Sequence, residues 1–76
     1  MSRKADLLAQ GLYPSSAGYV LALRTMNDSH LVNAFLKALA IDEPTDITSP
    51  LAAEVHRRGL RGATIAEAER REGQHG

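Results

Sequence analysis

The stretch that most constrains the fold of this chain is residues 29–40, whose apolar side chains recur with a helical period. Placed roughly 100° apart, five of them share one arc: Leu31, Val32, Phe35, Leu36 and Leu39. The residues at 27–29 are all types that cap the start of a helix, and Pro44 indicates that the helix ends before it. The pattern predicts a central helix at about 29–40, and we expect Phe35, the only Phe, to anchor the core.

The N-terminal third predicts two further helices. The first covers 2–10, with Ser2 as its cap, and Gly11 suits the left-handed position behind it. Residues 17–26 follow two serines that could cap a helix, and they are apolar over most of a helix circumference. The run 19–23 also suits a buried strand. We interpret 17–26 as a helix because no second strand is evident to pair with it.

The C-terminal half predicts two helices joined by a glycine turn. The Ser-Pro pair at 49–50 indicates a helix over 50–58 that ends at Gly59. The sequence Thr-Ile-Ala-Glu at 64–67 has the spacing of a capping box, which predicts a last helix over about 65–72.

These patterns predict an all-α fold, a small bundle of four to five short helices around the central helix. The chain has 76 residues, which is enough for a single small domain, expected over 1–72 with a flexible tail at 73–76. Its composition, 43% hydrophobic and 24% charged, is typical of a folded globular chain. Leu and Ala carry most of the apolar content, and both favour helix over strand.

The composition also restricts the classes of function. Nine basic and nine acidic residues leave no net charge to draw the chain onto nucleic acid or an acidic membrane. Without cysteine, a thiolate zinc site is impossible, and the three histidines lie in different segments. We therefore expect no metal, no cofactor and no enzymatic activity. No apolar run approaches the ~20 residues that span a membrane, so the expected location is the cytoplasm.

The segment Asp28-Ser29-His30-Leu31 resembles the Asp-Ser-Leu signature of acyl and peptidyl carrier proteins. The resemblance implies a small four-helix bundle in which Ser29, at a helix start, carries the prosthetic arm. His30 interrupts the signature, no glycine precedes it, and the chain is not acidic as carriers usually are. Helix capping alone selects two small polar residues here, and we adopt that interpretation.

An arginine cluster near the C-terminus is the candidate for nucleic-acid contact: Arg57, Arg58, Arg61, Arg70 and Arg71. Residues 59–65 resemble the G-[VL]-x-x-x-T-[VI] core of many helix-turn-helix units, which implies a DNA-binding module over 50–72. Glu54 and Arg58 stand where that family has apolar residues, and three glutamates on the would-be recognition helix repel phosphate. The alternative is that these acids and arginines pair along their own helices, four residues apart.

Residues 17–26, as a helix, would be apolar over more of the circumference than one packing partner can cover, and this predicts an interaction surface. A thin helical domain cannot easily cover such a helix, so Leu21, Leu23 and Met26 are candidates for contact with a partner. The alternative is that the other helices cover this surface completely. We expect a non-enzymatic, small cytoplasmic regulatory or adaptor protein that binds another protein, or itself as a homodimer. The second hypothesis is the helix-turn-helix-like DNA-binding transcriptional regulator.

Overall fold

The structure is a computed structural model that describes residues 3–15 and 17–73. Within these residues the chain forms four α-helices and one two-stranded antiparallel sheet. The elements in chain order are α1 Arg3–Ala9, β1 Leu12–Pro14, β2 Val20–Ala22, α2 Asp28–Ala40, α3 Thr45–Arg57 and α4 Arg61–Gly73. The fold is therefore mostly helical, as expected, but its sheet means that it is not purely all-α.

Residues 17–26, predicted as a helix, instead contain the second strand of a β-hairpin, Val20–Ala22, followed by a 3-10 turn. β2 pairs with β1 in a register that places Tyr13 opposite Leu21. Gly18, at φ +93°, supplies the left-handed residue in the hairpin turn. The helix prediction is wrong because the partner strand is the short run 12–14, whose Tyr-Pro pair looks in sequence like a break. Proline is acceptable there because the strand lies at a sheet edge.

A single 3-10 turn, Leu23–Thr25, joins β2 to α2. Leu23 and Met26, at its two ends, are 6% and 4% exposed and belong to the core. The side chain of Asn27 accepts a hydrogen bond from the backbone amide of His30 at 2.8 Å. The expected polar cap of the central helix is thus confirmed, and Asn27 supplies it.

The hydrophobic core lies where α3 packs against α2, α1 and the 3-10 turn. Its buried members are Ala5, Leu8, Leu23, Met26, Leu31, Ala34, Ala38, Ile47, Leu51 and Val55. Leu31 and Leu51 are the largest fully buried side chains, whereas Phe35 is half-buried and packs at the edge. The prediction that Phe35 anchors the core is therefore wrong. The small side chains of Ala34 and Ala38 occupy the interior face of α2 instead.

α3 begins at Thr45, well before the start predicted at 49–50. Its buried residues recur every four positions: Ile47, Leu51 and Val55. Pro44 lies just before the helix in an extended conformation, with ψ 163°, and fixes the entry of the chain. Pro50 consequently lies inside the helix, and its predicted place at the first helical position is wrong.

The turn between α3 and α4 forms at the predicted glycine. Gly59 has φ +68°, and the amide of Leu60 donates to the carbonyl of Val55 at 2.9 Å, as in a Schellman ending. α4 begins at Arg61, earlier than predicted. The predicted capping box is wrong, because Thr64 lies within the helix and its hydroxyl donates to the carbonyl of Leu60 at 2.8 Å.

Some predicted features lie outside the described residues. These are the cap at Ser2, the candidate cap Ser16 and residues 74–76 of the expected tail, whereas Gly73 is the last residue of α4. In the part of the chain that the structure describes, no helix has both the length and the apolar character needed to cross a membrane.

Candidate interaction site

An open apolar groove of about 570 Å³ lies where α2, α3 and α4 border one another. We call it the apolar groove, and its lining residues are Phe35, Leu36, Leu39, Ala52, Val55, His56, Arg61, Thr64, Ile65 and Ala68. Seven of these ten side chains are hydrocarbon, which makes the groove better suited to an apolar ligand surface than to a polar substrate.

Large aliphatic side chains remain exposed along the groove. Leu39 on α2 is 51% exposed and Ile65 on α4 is 48% exposed. The apolar arc of α2 is wider than the buried surface, since Leu31 and Val32 are buried and Leu39 remains exposed. Exposed apolar side chains that are gathered in one place mark contact surfaces more often than scattered ones do.

The polar side chains at the groove carry no negative charge. The hydroxyl of Thr64 already donates to the carbonyl of Leu60, which leaves His56 and Arg61, both exposed, as polar groups at the edge. Within residues 3–15 and 17–73, Arg61 forms no ion pair. A surface that docks here would therefore be apolar at its centre and would place a carboxylate near Arg61.

Arg58, by contrast, is a structural residue that joins three segments. Its guanidinium donates to the carbonyls of Met26 at 2.6 Å and Leu23 at 2.7 Å, and to the carboxylate of Glu54 at 2.7 Å. It also contacts Asp28 at 3.0 Å, and its side chain is only 13% exposed. We call this set of five residues the Arg58 cluster. Because its donors are engaged, Arg58 is not free to contact phosphate.

The carboxylate of Glu54 completes the Arg58 cluster. Hydrogen bonds from Arg57 and Arg58 stabilise its charged form and lower its pKa from 4.5 to about 2. The expected pairing of Glu54 with Arg58 along one helix is therefore confirmed. It also explains two charged residues at positions where a helix-turn-helix unit has apolar ones.

The second arginine pair is engaged in the same way on α4. Glu67 accepts hydrogen bonds from Arg70 at 2.7 Å and Arg71 at 3.1 Å, and these bonds lower its pKa. Arg71 also donates to the side chain of Asn33 on α2. Of the five arginines in the predicted cluster, only Arg61 has no carboxylate partner among the described residues.

The three candidates for partner contact lie largely inside the monomer. Leu23 and Met26 are buried, and Leu21 is half-buried against the core. The helix interpretation places them on the surface, but the segment is a strand and a 3-10 turn that direct these side chains inward. The large apolar residues of this segment that are exposed are Tyr19 and Val20.

Ser29 is exposed in the first turn of α2, beside a small cleft of about 260 Å³. The interpretation of Asp28 and Ser29 as the helix cap is wrong, because both lie inside α2 and Asn27 supplies the cap. His30 packs edge-on against Tyr13, with ring centroids 6.1 Å apart. Among the described residues, no three His, Cys, Asp or Glu side chains converge on a possible metal position.

Sequence reasoning identifies residues of the groove but not their role. Periodicity assigns Phe35, Leu36 and Leu39 to the core as one arc, and Ile65 stands out only as the large apolar residue of the last helix. The signal that could have found the groove is quantitative: α3 and α4 carry too few large apolar residues to cover an arc of five. Comparison of the chain with protein-family models, curated proteins and solved structures gave no match.

Proposed function

We propose that this chain is a small, non-enzymatic regulatory or adaptor protein of the cytoplasm that acts by binding protein through the apolar groove. The observation that supports the proposal is the pair of half-exposed aliphatic side chains, Leu39 and Ile65, on a groove lined mainly by hydrocarbon.

The energetics favour an apolar, protein-like ligand. Full burial of a Leu or Ile side chain is worth about 1.5–3 kcal/mol, and roughly half of that remains to be gained at each of Leu39 and Ile65. Phe35, half-buried beside them, adds an aromatic surface of the kind that dominates binding energy in interfaces. A groove between helices is also the usual site for the apolar face of another helix.

Site-specific photo-crosslinking tests this proposal. We would replace Ile65 with a photoreactive amino acid, irradiate the cells that make the protein, and separate the products by denaturing electrophoresis. We expect a discrete adduct, weakened by Leu39→Ser in the same chain. Ala66 is the matched control, because it is exposed and lies about 100° further round α4, away from the groove. Equal products from positions 65 and 66, or none from either, would contradict the proposal.

The second candidate is DNA binding by a helix-turn-helix-like pair over 50–72. It is supported by the turn at Gly59, which joins two helices through three residues, and by the exposed Arg61 at the start of α4, which has no ion-pair partner in the part of the chain that the structure describes. Most of the arginines are already engaged in ion pairs with glutamates, which makes DNA binding less favourable. These are Arg57, Arg58, Arg70 and Arg71. We therefore rank it below protein binding.

A salt titration separates the two candidates. If 50–72 contacts DNA, Arg61→Ala with Arg71→Ala should weaken binding to duplex DNA. It should also lower the slope of log affinity against log salt by about 0.9 for each phosphate that the variant no longer neutralises. We expect instead that the parent chain shows no competitor-resistant binding at physiological salt, measured by gel shift and fluorescence anisotropy.

A further inference from the structure

One flank of α4 carries a symmetrical arrangement of charge and apolar surface. Arg61, Ile65, Ala68 and Glu72 are spaced at four, three and four residues, so they share an arc of about 60° along the helix. The two apolar members lie at the centre and both line the apolar groove. The two charged members are exposed at the ends, about 16 Å apart. We call this set the α4 stripe.

The α4 stripe is complementary to itself when reversed. If a second α4 lies antiparallel, centred between Ile65 and Ala68, each Arg61 faces the partner's Glu72. The same register sets each Ile65 against the small Ala68 of the other copy, where the groove offers room. A parallel arrangement would set Arg61 against Arg61. The charge order thus favours the antiparallel pairing and disfavours the parallel one.

The charges of the stripe are poorly placed for an isolated helix. Arg61 occupies the N-terminal end of α4, where the helix dipole disfavours a cation, and Glu72 is near the C-terminal end, where it disfavours an anion. Among the described residues, neither forms an ion pair that would compensate for this. Residues that break a local rule without compensation in the monomer are typical of functional surfaces.

A small dimer interface would occupy only a modest share of the surface of this chain. The smallest stable interfaces bury about 600 Å² on each partner, which is roughly one-eighth of the accessible surface of 5152 Å². The α4 stripe together with the rim at Leu39 supplies an apolar centre and a charged edge, the usual arrangement of such interfaces. The zero net charge of the chain adds no repulsion between copies.

We infer that the occupant of the apolar groove is a second copy of this chain, bound antiparallel through α4. Ile65 of each copy enters the partner's groove beside Ala68, and Arg61 of each pairs with the partner's Glu72. This inference rests on the proposed function, since it names the partner of the same groove.

Charge reversal with mixing tests the inference by sedimentation equilibrium. Arg61→Glu and Glu72→Arg should each raise the dissociation constant of the homodimer by about tenfold, because each turns two ion pairs into two repulsive contacts. An equimolar mixture of the two variants should form a heterodimer within about threefold of the parent affinity, since both pairs are then restored. Either reversal suits the helix dipole, so both variants should remain folded, as circular dichroism would show.

Glu69→Arg is the matched control, because it makes the same change of charge on an exposed residue about 60° beyond Glu72 on the side away from the core. It should change the dissociation constant less than twofold. A control variant as damaging as Glu72→Arg would overturn the register, as would mixed variants that fail to associate. A parent chain that stays monomeric at millimolar concentration would overturn the inference altogether. In that case a discrete crosslink from position 65 to a different protein would still support the proposed function.

Discussion

The Arg58 cluster and the apolar groove both include residues of α3, and the two regions differ in the kind of side chain that they bury and expose. At the Arg58 cluster, the side chains of Arg58 and Glu54 are only 13% and 11% exposed, and Arg58 donates to Glu54 and to nearby carbonyls. At the groove, aliphatic side chains such as Leu39 and Ile65 remain half-exposed. A charged residue therefore stabilises the packing of segments at the Arg58 cluster, whereas apolar residues form the accessible surface of the groove. Residue type alone would assign both regions incorrectly.

The largest expected effect comes from the core between these regions. Leu51→Ala should lower the free energy of unfolding by about 2–5 kcal/mol, because Leu51 is fully buried and its loss leaves a cavity. Leu39→Ala, the matched change at the groove, should cost less than about 1 kcal/mol in dilute solution, since half of Leu39 already faces solvent. Chemical denaturation measures both values. Similar losses would mean that the groove is part of the core.

The next largest effect concerns the Arg58 cluster. Arg58→Ala should cost about 2–3 kcal/mol, since it leaves the carbonyls of Leu23 and Met26 without their donor and Glu54 without its nearest cation. Arg61→Ala at the groove should change stability by no more than about 0.5 kcal/mol in the monomer. Thermal melts of the two variants measure both changes in stability. A larger loss of stability for Arg61→Ala than for Arg58→Ala would contradict this prediction.

Acidification should distinguish the regions by way of Glu54. Its pKa is lowered in the folded chain, so it contributes stability that is fully present above 4.5 and is lost as the pH falls through about 2. Glu67 acts in the same direction, because its pKa is also lowered. Glu54→Gln should therefore be less stable than the parent at neutral pH but lose less stability between pH 4.5 and 2. Parallel pH profiles of urea unfolding would show that Glu54 does not contribute as described.

The smallest effect concerns the turn that connects the two regions. Gly59→Ala should cost about 1 kcal/mol, because its φ of +68° strains any residue with a Cβ although the surrounding space is open. Gly62→Ala should instead stabilise by about 0.5–1 kcal/mol, since Gly62 lies in α4 and its added Cβ meets nothing. Opposite signs in the two melting curves are the expected result, and equal signs would contradict the turn geometry.

Local signals in the sequence predict the central helix and the turn between α3 and α4, but not the starts of α3 and α4. The period of the apolar residues in α2 and the glycine that ends α3 were sufficient, because each depends on residues close together in the chain. The sequence does not predict the hairpin, because a strand of three residues has no pattern of its own. Its identity depends on pairing with Val20–Ala22, which no local property reveals.

The candidate site was only partly predictable for a related reason. Periodicity identifies which residues share a face, but it does not identify which face is buried. Ala34 and Ala38 lie outside the predicted arc of α2 and are buried, whereas Leu39 lies within it and is 51% exposed. The buried face depends on where α3 packs, and α3 starts earlier than the sequence predicts. The ion pairs along the helices were predictable from spacing, whereas the bonds of Arg58 to Leu23 and Met26 were not.

Those last bonds have a consequence for the order of folding. Arg58 lies 32 and 35 residues from the carbonyls that it binds, whereas its bond to Glu54 spans a single helical turn. The long-range bonds form only after the entropy of closing that loop has been lost, so we expect them to be absent from the transition state. Arg58→Ala should then accelerate unfolding and leave the refolding rate nearly unchanged. The bonds of Arg58 would then slow unfolding without speeding folding, and so lengthen the lifetime of the native state.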